Sequence, residues 1–361
     1  MKSTGIYCRP VCPAPLPKTA NIVYYPNAAA AASAGFRPCL RCRPEAAPGP
    51  PLWRAGDELV RGALRLIEHG ALDRAPVAAL AARIGVGERH LRRLFDEHLG
   101  ASPLDVAATR RVLFAKKLIS ETNLPMTDVA LAAGYQSLRR FNAAFRAAYA
   151  MTPRAIRRGR APLAAAGEHV LRLPYRPPFD FAATLRFFAR RAIPGIEAVD
   201  EICYARRFVF DGVPGTFAAT GLPGQHAIEL RIRHQRPAAL LDVATRVRRL
   251  FDLDADAAAI HAALARDRRL RPLLRRFPGV RVGGVWDGFE AAVRAVLGQQ
   301  VTVAAARTLA SRLVARHGVR DGDDAELGIA FPTPQTLAQA DLGALGITRA
   351  RAATIAAVSR A

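Results

Sequence analysis

Two cysteine pairs decide how the amino-terminal end folds: STGIYCRPVC at residues 3–12 and GFRPCLRC at residues 35–42. Three residues separate Cys8 from Cys12, two separate Cys39 from Cys42, and 26 lie between the pairs. Loops this short can present both of their sulfurs to one metal ion, and four thiolates suit tetrahedral zinc. Because four of the five cysteines crowd into the first 42 residues of a large chain that we expect to lack a secretory leader, metal binding is favoured over a disulfide scaffold.

The formal net charge is +23, from 53 Lys and Arg against 30 Asp and Glu. Basic side chains near phosphates release condensed counterions, so this charge predicts a polyanionic partner. An Arg- and Ala-rich composition can also reflect a GC-rich genome, and the motifs must therefore decide. We find no run of eighteen apolar residues, so we expect no membrane partner and a cytoplasmic, nucleoid-associated bacterial protein.

Two proline- and glycine-rich stretches divide the chain, AAPGPP at residues 46–51 and GRAPLAAAG at residues 159–167. We predict a multidomain, mainly α fold with segments at 1–47, 52–160, 168–282 and 283–361. The first is a small four-cysteine zinc α/β module, the second is all-α, the third is α+β and the last is a partial helical domain. In the third segment, strands are predicted at Val170–Leu173, Tyr204–Phe210 and Ala227–Arg233. After about Ala239 the pattern predicts only helices, broken by turns at Pro278-Gly279 and Gly283-Gly284.

The second segment contains an internal repeat with a spacing of 49 to 50 residues. Each copy predicts a short helix, a glycine turn, a second helix and a final Ser/Thr-Pro. The paired positions of the first half are Val77, Leu80, Ala81, Ile84 and Gly85 against Met126, Val129, Ala130, Ala133 and Gly134. Those of the second half are Leu91, Phe95, Gly100, Ser102 and Pro103 against Phe141, Phe145, Ala150, Thr152 and Pro153. Two structural units of one kind are therefore predicted.

Residues 3–45, with the two cysteine stretches, resemble the amino-terminal domain of the Ada methylation-response family. The resemblance implies that Cys8 is both a zinc ligand and a nucleophile that takes one methyl group, irreversibly, from a DNA methylphosphotriester. It also implies DNA contacts by Thr4, Arg37 and Arg41, whereas Pro15 stands where an Arg is usual. Zinc keeps a thiol deprotonated near neutral pH, and the thiolate is the attacking form. Methylation removes one negative charge, which would reduce repulsion from DNA phosphates and act as a switch.

Residues 52–158 resemble the AraC-type activator domain, in which the second helix of each unit enters a major groove. The resemblance implies promoter DNA and RNA polymerase as partners. A connecting helix at about Leu104–Thr122 would set the spacing of the two units. The implied DNA contacts are Arg89, His90, Arg92 and Arg93, beside Glu88, in the first unit, and Gln136, Ser137, Arg139, Arg140 and Asn142 in the second.

From His169 onward the chain resembles the AlkA alkylbase DNA glycosylases, most clearly in FEAAVRAVLGQQV at residues 289–301. The resemblance implies that Gln299 and Gln300 approach the minor groove and fill the gap left by an extruded base. The family's helix-hairpin-helix and catalytic Asp lie further along than Ala361, so we expect the chain as given not to cleave glycosidic bonds. For the same reason we expect the last helices to expose apolar side chains, namely Leu342, Leu345, Ile347 and Ile355.

Together these features predict a DNA alkylation-damage response protein. It would accept methyl groups on a zinc-bound cysteine, activate transcription, and carry an incomplete DNA-3-methyladenine glycosylase for base excision repair. One alternative is a transcription regulator with purely structural zinc and no repair chemistry. A second is a glycosylase whose amino-terminal half only improves DNA targeting.

Overall fold

The computed structural model describes residues 1–10, 12–46, 58–157, 167–320 and 326–360. Apart from Ala46 and Gly167, both predicted linkers lie outside the described residues. The chain forms two compact units: Met1–Ala164 with Val170–Pro174 and Pro237–Thr245, and Ala165–His169 with Tyr175–Arg236 and Arg246–Ala361. The predicted division into four segments stays a prediction.

The amino-terminal module consists of two very short parallel strands and one helix. Strand β1 (Ile6–Tyr7) pairs with β2 (Arg37–Pro38), and α1 (Ala28–Ser33) precedes β2. Helix α1 begins because the side chain of Asn27 accepts a hydrogen bond from the amide of Ala30 at 2.9 Å, an N-cap. Its three buried residues, Ala29 to Ala31, are small, so this module has little apolar core of its own.

Between residues 58 and 157, all of them described, eight helices follow in the same unit and confirm the predicted repeat. The first helix-turn-helix is formed by α4 and α5 around Gly85, and the second by α7 and α8 around Gly134, both glycines having a left-handed φ. The predicted connecting helix is α6, which a capping box at Ser102 and Asp105 begins. The helices are α2 (Glu58–Glu68), α3 (Ala71–Arg74), α4 (Val77–Ile84), α5 (Glu88–Leu99), α6 (Pro103–Glu121), α7 (Met126–Ala132), α8 (Leu138–Tyr149) and α9 (Pro153–Arg157).

The second unit contains an antiparallel meander of four strands in the order β4-β5-β6-β7. In its last strand Ile228, Leu230 and Ile232 are buried while Arg231 and Arg233 are exposed, the alternation of a sheet with one covered face. The unit boundary passes through β3 (Glu168–Pro174) and α11 (Ala239–Leu250). The other elements are α10 (Phe181–Ala189), β4 (Glu197–Val199), β5 (Cys203–Phe210), β6 (Val213–Leu222) and β7 (Ala227–Arg233).

Among the described residues beyond Ala239, the regular elements are helices and one short hairpin. Strands β8 (Val319–Arg320) and β9 (Ile329–Ala330) pair antiparallel, so the prediction of helices alone was wrong at that point. The β-branched residues Val319 and Ile329 lie in this hairpin, after a helix that ends at His317. The helices are α12 (Ala257–Leu264), α13 (Arg271–Arg276), α14 (Gly288–Gly298), α15 (Val303–His317), α16 (Pro334–Ala338) and α17 (Arg349–Arg360).

The expectation of exposed apolar faces in the last helices was wrong. Leu342, Ile347 and Ile355 are buried and Leu345 is half-buried. The reason is that α16 and α17 fold back together, with α17 also against α14, and complete a core with Leu313 and Val293. Folding back removes these apolar side chains from water.

A buried ion network joins the sheet to α14. The guanidinium of Arg206 donates to Glu197 at 3.0 Å and also pairs with Glu290, while Arg294 pairs with Glu197. Burial alone would lower the pKa of Arg206, but Glu290, Tyr204 and Glu197 outweigh this effect and leave the pKa raised, so the group stays charged. Since breaking one such pair would strand a buried charge, the network holds α14 in place.

The mainly helical, multidomain fold with an α+β part is as predicted. In the described part of the chain, no helix is long and apolar enough to cross a membrane.

Candidate metal centre and nucleic-acid interface

The four predicted cysteines converge on one point. Cys8 directly follows β1 and Cys39 directly follows β2, so the parallel pairing brings them to the same edge. All four sulfurs lie within 4.8 Å of one another, and the Cys12 and Cys39 sulfurs are 4.0 Å apart. The corners of a tetrahedron around zinc, with Zn–S near 2.3 Å, are about 3.8 Å apart. The four sulfurs are not bonded to one another, and their arrangement matches a zinc site.

The electrostatics of the cluster call for a cation. Burial raises the pKa of Cys8, and hydrogen bonding to the Cys39 and Cys12 sulfurs raises it further. Burial and the neighbouring sulfurs likewise raise the pKa of Cys42 to about 11. For Cys39, burial raises the pKa, but hydrogen bonds from the amides of Cys42 and Arg41 outweigh it and leave the pKa lowered. Because four sulfurs this close cannot all ionise alone, a divalent soft-ligand metal such as zinc fits the donor set.

The four sulfurs differ in accessibility. Cys39 and Cys42 are buried, whereas Cys8 and Cys12 are half-buried. The amide of Arg9 donates to the Cys42 sulfur at 3.3 Å, and the Arg9 guanidinium donates to the Cys42 carbonyl at 3.3 Å. Burial and hydrogen bonding make Cys42 the more inert kind of ligand. Cys8 and Cys12 are therefore the two sulfurs of the cluster that are accessible to a reactant in solution.

The residues of this module that are predicted to contact DNA lie close to the cysteines in the sequence. Thr4 is exposed in the turn before β1. Arg37 lies in β2 and is half-buried, and Arg41 is exposed between Cys39 and Cys42. The two arginines thus flank Cys39 by two residues on either side, and contact with a phosphate stays a prediction for all three residues.

The first recognition helix, α5, presents the predicted residues to solvent. Arg89, His90, Arg92 and Arg93 are all exposed, while the opposite face is buried. Three of them already have partners, since Arg92 pairs with Glu88 at 2.6 Å and Arg93 contacts the His90 ring at 3.2 Å. Both contacts are exposed and weak, so they leave these side chains available to DNA.

The second recognition helix, α8, separates the predicted residues into two kinds. Arg139 and Arg140 are exposed and Asn142 is half-buried on the helix. Ser137 is the N-cap, and its hydroxyl accepts from the amide of Arg140 at 3.3 Å. Gln136 donates to the carbonyl of Asp73 at 3.1 Å. The last two residues therefore have structural contacts that the sequence did not suggest.

Asp73 is a residue that the sequence did not single out. Its carboxylate accepts from Arg110 at 2.6 Å and from Arg111 at 3.2 Å. Through Gln136 the same residue also holds the start of the second recognition helix. No motif surrounds Asp73, and the partners of its carboxylate and carbonyl groups lie 37 or more residues away, so only the tertiary structure could reveal its role.

The predicted turn at Gln299 and Gln300 is present and solvent-exposed. Helix α14 ends at Gly298, Gln299 is its C-cap, and Gln300 has a left-handed φ of 54°. The guanidinium of Arg351 donates to the carbonyl of Gln299, which ties the turn to α17. Non-glycine residues rarely adopt this backbone conformation, and it is often kept at functional positions.

Three family models match the chain. The metal binding domain of Ada matches residues 1–45, a helix-turn-helix domain matches residues 80–159, and the AlkA N-terminal domain matches residues 170–287. With the geometry above, these matches define a zinc-binding, DNA-binding protein joined to a glycosylase-like part.

Similarity to curated proteins identifies the family more closely than the three domain matches do. A probable bifunctional transcriptional activator/DNA repair enzyme AlkA of Mycobacterium tuberculosis is 43% identical over 363 residues, covering 99% of this chain and 73% of that protein. DNA-3-methyladenine glycosylase 2 of Escherichia coli is 36% identical over 50% of this chain and 62% of its own length. The bifunctional activator/repair enzyme AdaA of Bacillus subtilis is 30% identical over 42% and 70%, respectively. The chain belongs to the family of bifunctional transcriptional activator/DNA repair enzymes.

Proposed function

We propose that the protein senses DNA alkylation by accepting a methyl group on Cys8. The Cys8 thiolate attacks the methyl carbon of a methylphosphotriester, an S–C bond forms, and the O–C bond breaks. The phosphodiester leaves as an anion, so the negative charge passes from sulfur to DNA and the step balances. When bound, zinc supplies the means of keeping the sulfur deprotonated near neutral pH.

One observation carries this proposal: four thiols converge within 4.8 Å, and Cys8 is one of the two that are not buried. A purely structural zinc site needs no accessible sulfur. Burial alone does not separate Cys8 from Cys12, and the resemblance to the Ada family selects Cys8. Thr4, Arg37 and Arg41 would bind the flanking phosphates as charged or hydroxyl donors.

The helix-turn-helix pair would carry the signal to promoter DNA. Exposed Arg89, Arg93, Arg139 and Arg140 are suited to base edges and phosphates in two major grooves. An activator acts through RNA polymerase, which we propose as the protein partner, and binding to the chromosome would place the protein on the nucleoid. In the glycosylase-like half, the Gln299-Gln300 turn would probe the minor groove at an alkylated base.

Mass spectrometry tests the sensor function directly. Zinc-loaded protein is incubated with duplex DNA carrying a methylphosphotriester, digested and mapped. We expect one added methyl group on the peptide that contains Cys8, and none in Cys8→Ser. The matched control is Cys203→Ser, which removes a half-buried thiol of β5 and should retain full transfer.

The outcome also separates the alternatives. Methylation at Cys12 or at no cysteine would contradict the assignment of Cys8. If Cys8→Ser disrupts folding and the wild-type protein takes up no methyl group, the zinc site is only structural.

A further inference from the structure

The zinc module contacts the carboxyl-terminal ends of both recognition helices, within one compact unit. At the first, the side-chain amide of Asn27 donates to the carbonyl of Leu99, the last residue of α5, at 2.8 Å. A Cβ atom placed on the next residue, Gly100, would lie 3.7 Å from Ala30 and 3.9 Å from Pro26. The start of α1 therefore seals the end of α5, and Asn27 both caps α1 and holds α5.

At the second recognition helix, strand β2 of the module contacts α8, whose last residue is Tyr149. Its side chain is only 1% exposed, and its ring lies 4.7 Å from that of Phe145. Burial raises the pKa of Tyr149, and the nearby Glu45 carboxylate and Tyr7 phenol raise it further. Tyr7 immediately precedes Cys8, and β2 also contacts α8. Helix α8 thus contacts the strand that Cys39 directly follows.

A buried ion pair fastens the module to α6, between the two helix-turn-helix units. The side chains of Glu45 and Lys116 are 1% and 5% exposed and form a salt bridge. Arg43 donates to Glu45 at 3.2 Å and to Glu121 of α6 at 3.3 Å. Arg43 directly follows the ligand Cys42, so the anchoring segment is continuous with the metal site.

We infer that the zinc module is a clamp that positions both recognition helices, so that metal occupancy sets the order of their carboxyl-terminal ends. The physical reason is the small core of this module, whose buried apolar residues in α1 are three alanines. A domain of this size without a metal or disulfide does not hold its own fold. Loss of the metal would therefore release Asn27, Tyr7 and Glu45 from their partners. Asn27, Glu45 and Lys116 act as positioning residues.

This inference rests on zinc binding in the proposed function, but not on methyl transfer. It predicts that removing zinc with a chelator speeds hydrogen exchange at the ends of α5 and α8 even when no damaged DNA is present. It also predicts two separable contacts, because the Asn27 side chain bonds to Leu99 of α5, whereas Glu45 pairs with Lys116 of α6, a helix that contacts α8.

Hydrogen exchange with mass spectrometry on the full zinc-loaded chain tests the clamp. On chelation, amides in the last turns of α5 and α8 should exchange about tenfold faster or more, the loss expected when packing and a hydrogen bond are removed. Helix α15 in the other unit is the internal reference and should be unchanged. Unchanged exchange in both recognition helices after complete zinc removal would overturn the inference.

Variants studied with zinc bound test the two contacts separately, without unfolding the module. With zinc bound, Asn27→Ala should speed exchange at the end of α5 only, and Lys116→Gln at the end of α8 only. The double variant Glu45→Met with Lys116→Met replaces the pair by apolar groups and should restore much of the protection lost in Lys116→Gln. If Asn27→Ala affects both helices or neither, the two-contact clamp is wrong.

Methyl transfer measured on Asn27→Ala distinguishes failure of the clamp from failure of the sensor. Transfer to Cys8 should persist in this variant, because its zinc ligands are intact. Absence of transfer in the wild type, with zinc-dependent protection of α5 and α8 retained, would refute the sensor function and leave the clamp standing.

Discussion

Removing the hydroxyl group from each of two buried tyrosines should change the free energy of unfolding in opposite directions. Tyr149 of the helix-turn-helix unit and Tyr204 of β5 are each 1% exposed. The Tyr204 hydroxyl donates to the Glu197 carboxylate at 2.7 Å. The Tyr149 hydroxyl is buried with no hydrogen-bond partner among the described residues. Replacement by Phe removes only the hydroxyl and keeps the ring.

The size of each change in the free energy of unfolding follows from the hydrogen-bond partners of the hydroxyl group. Leaving a buried polar group unsatisfied costs about 1–3 kcal/mol, so Tyr149→Phe should raise the free energy of unfolding by about 1 kcal/mol. A hydrogen bond to a charged group contributes about 1.5–3 kcal/mol, so Tyr204→Phe should lower it by roughly 1.5 kcal/mol. The lower end is chosen because Glu197 keeps Arg206, Arg294 and the amide of Ile193 as partners.

Urea unfolding of the zinc-loaded chain measures both variants, with hydrogen exchange assigning each change to its own unit. Local assignment is needed because a chain with two compact units need not unfold in one transition. A destabilisation of more than about 0.5 kcal/mol by Tyr149→Phe would show that its hydroxyl is bonded after all, and would refute the reasoning.

Three further predictions concern the metal, the core and DNA. Cys39→Ser should abolish stoichiometric zinc in metal analysis, whereas Cys203→Ser should retain it; retention by both would contradict the four-cysteine site. Ile355→Ala removes a fully buried side chain and should cost about 2–5 kcal/mol in thermal unfolding, unlike a truncation at an exposed site. Arg139→Ala should weaken DNA binding and reduce the salt dependence by about one phosphate contact; the control Arg360→Ala, an exposed residue of α17, should change neither.

Local patterns in the sequence were sufficient for much of the fold. The predicted strand Ala227–Arg233 has the bounds of β7, and the predicted connecting helix lies within one residue of α6 at each end. These elements could be predicted because period-two alternation, capping residues and the 49-residue repeat are properties of neighbouring positions. The cysteine spacing likewise predicted one metal site, because short loops allow few other arrangements.

Contacts between residues far apart in the sequence could not be predicted from these local patterns. Whether Leu342, Ile347 and Ile355 face water depends on where α16 and α17 fold. An amphipathic pattern shows which face of a helix is apolar, but not which element packs against that face. The same holds for Ser137, whose hydroxyl could cap a helix or contact a base until the start of α8 was known.

The sequence by itself determined which chemistry the chain can carry, because residue types and their spacing limit the ligands, nucleophiles and DNA-facing cations available. Only the tertiary structure decided how these parts are coupled. Asn27 with Leu99 and Glu45 with Lys116 are 72 and 71 residues apart, and such pairs form only when the fold brings them together. Burial strengthens these contacts, which join α5 and α6 to the zinc module.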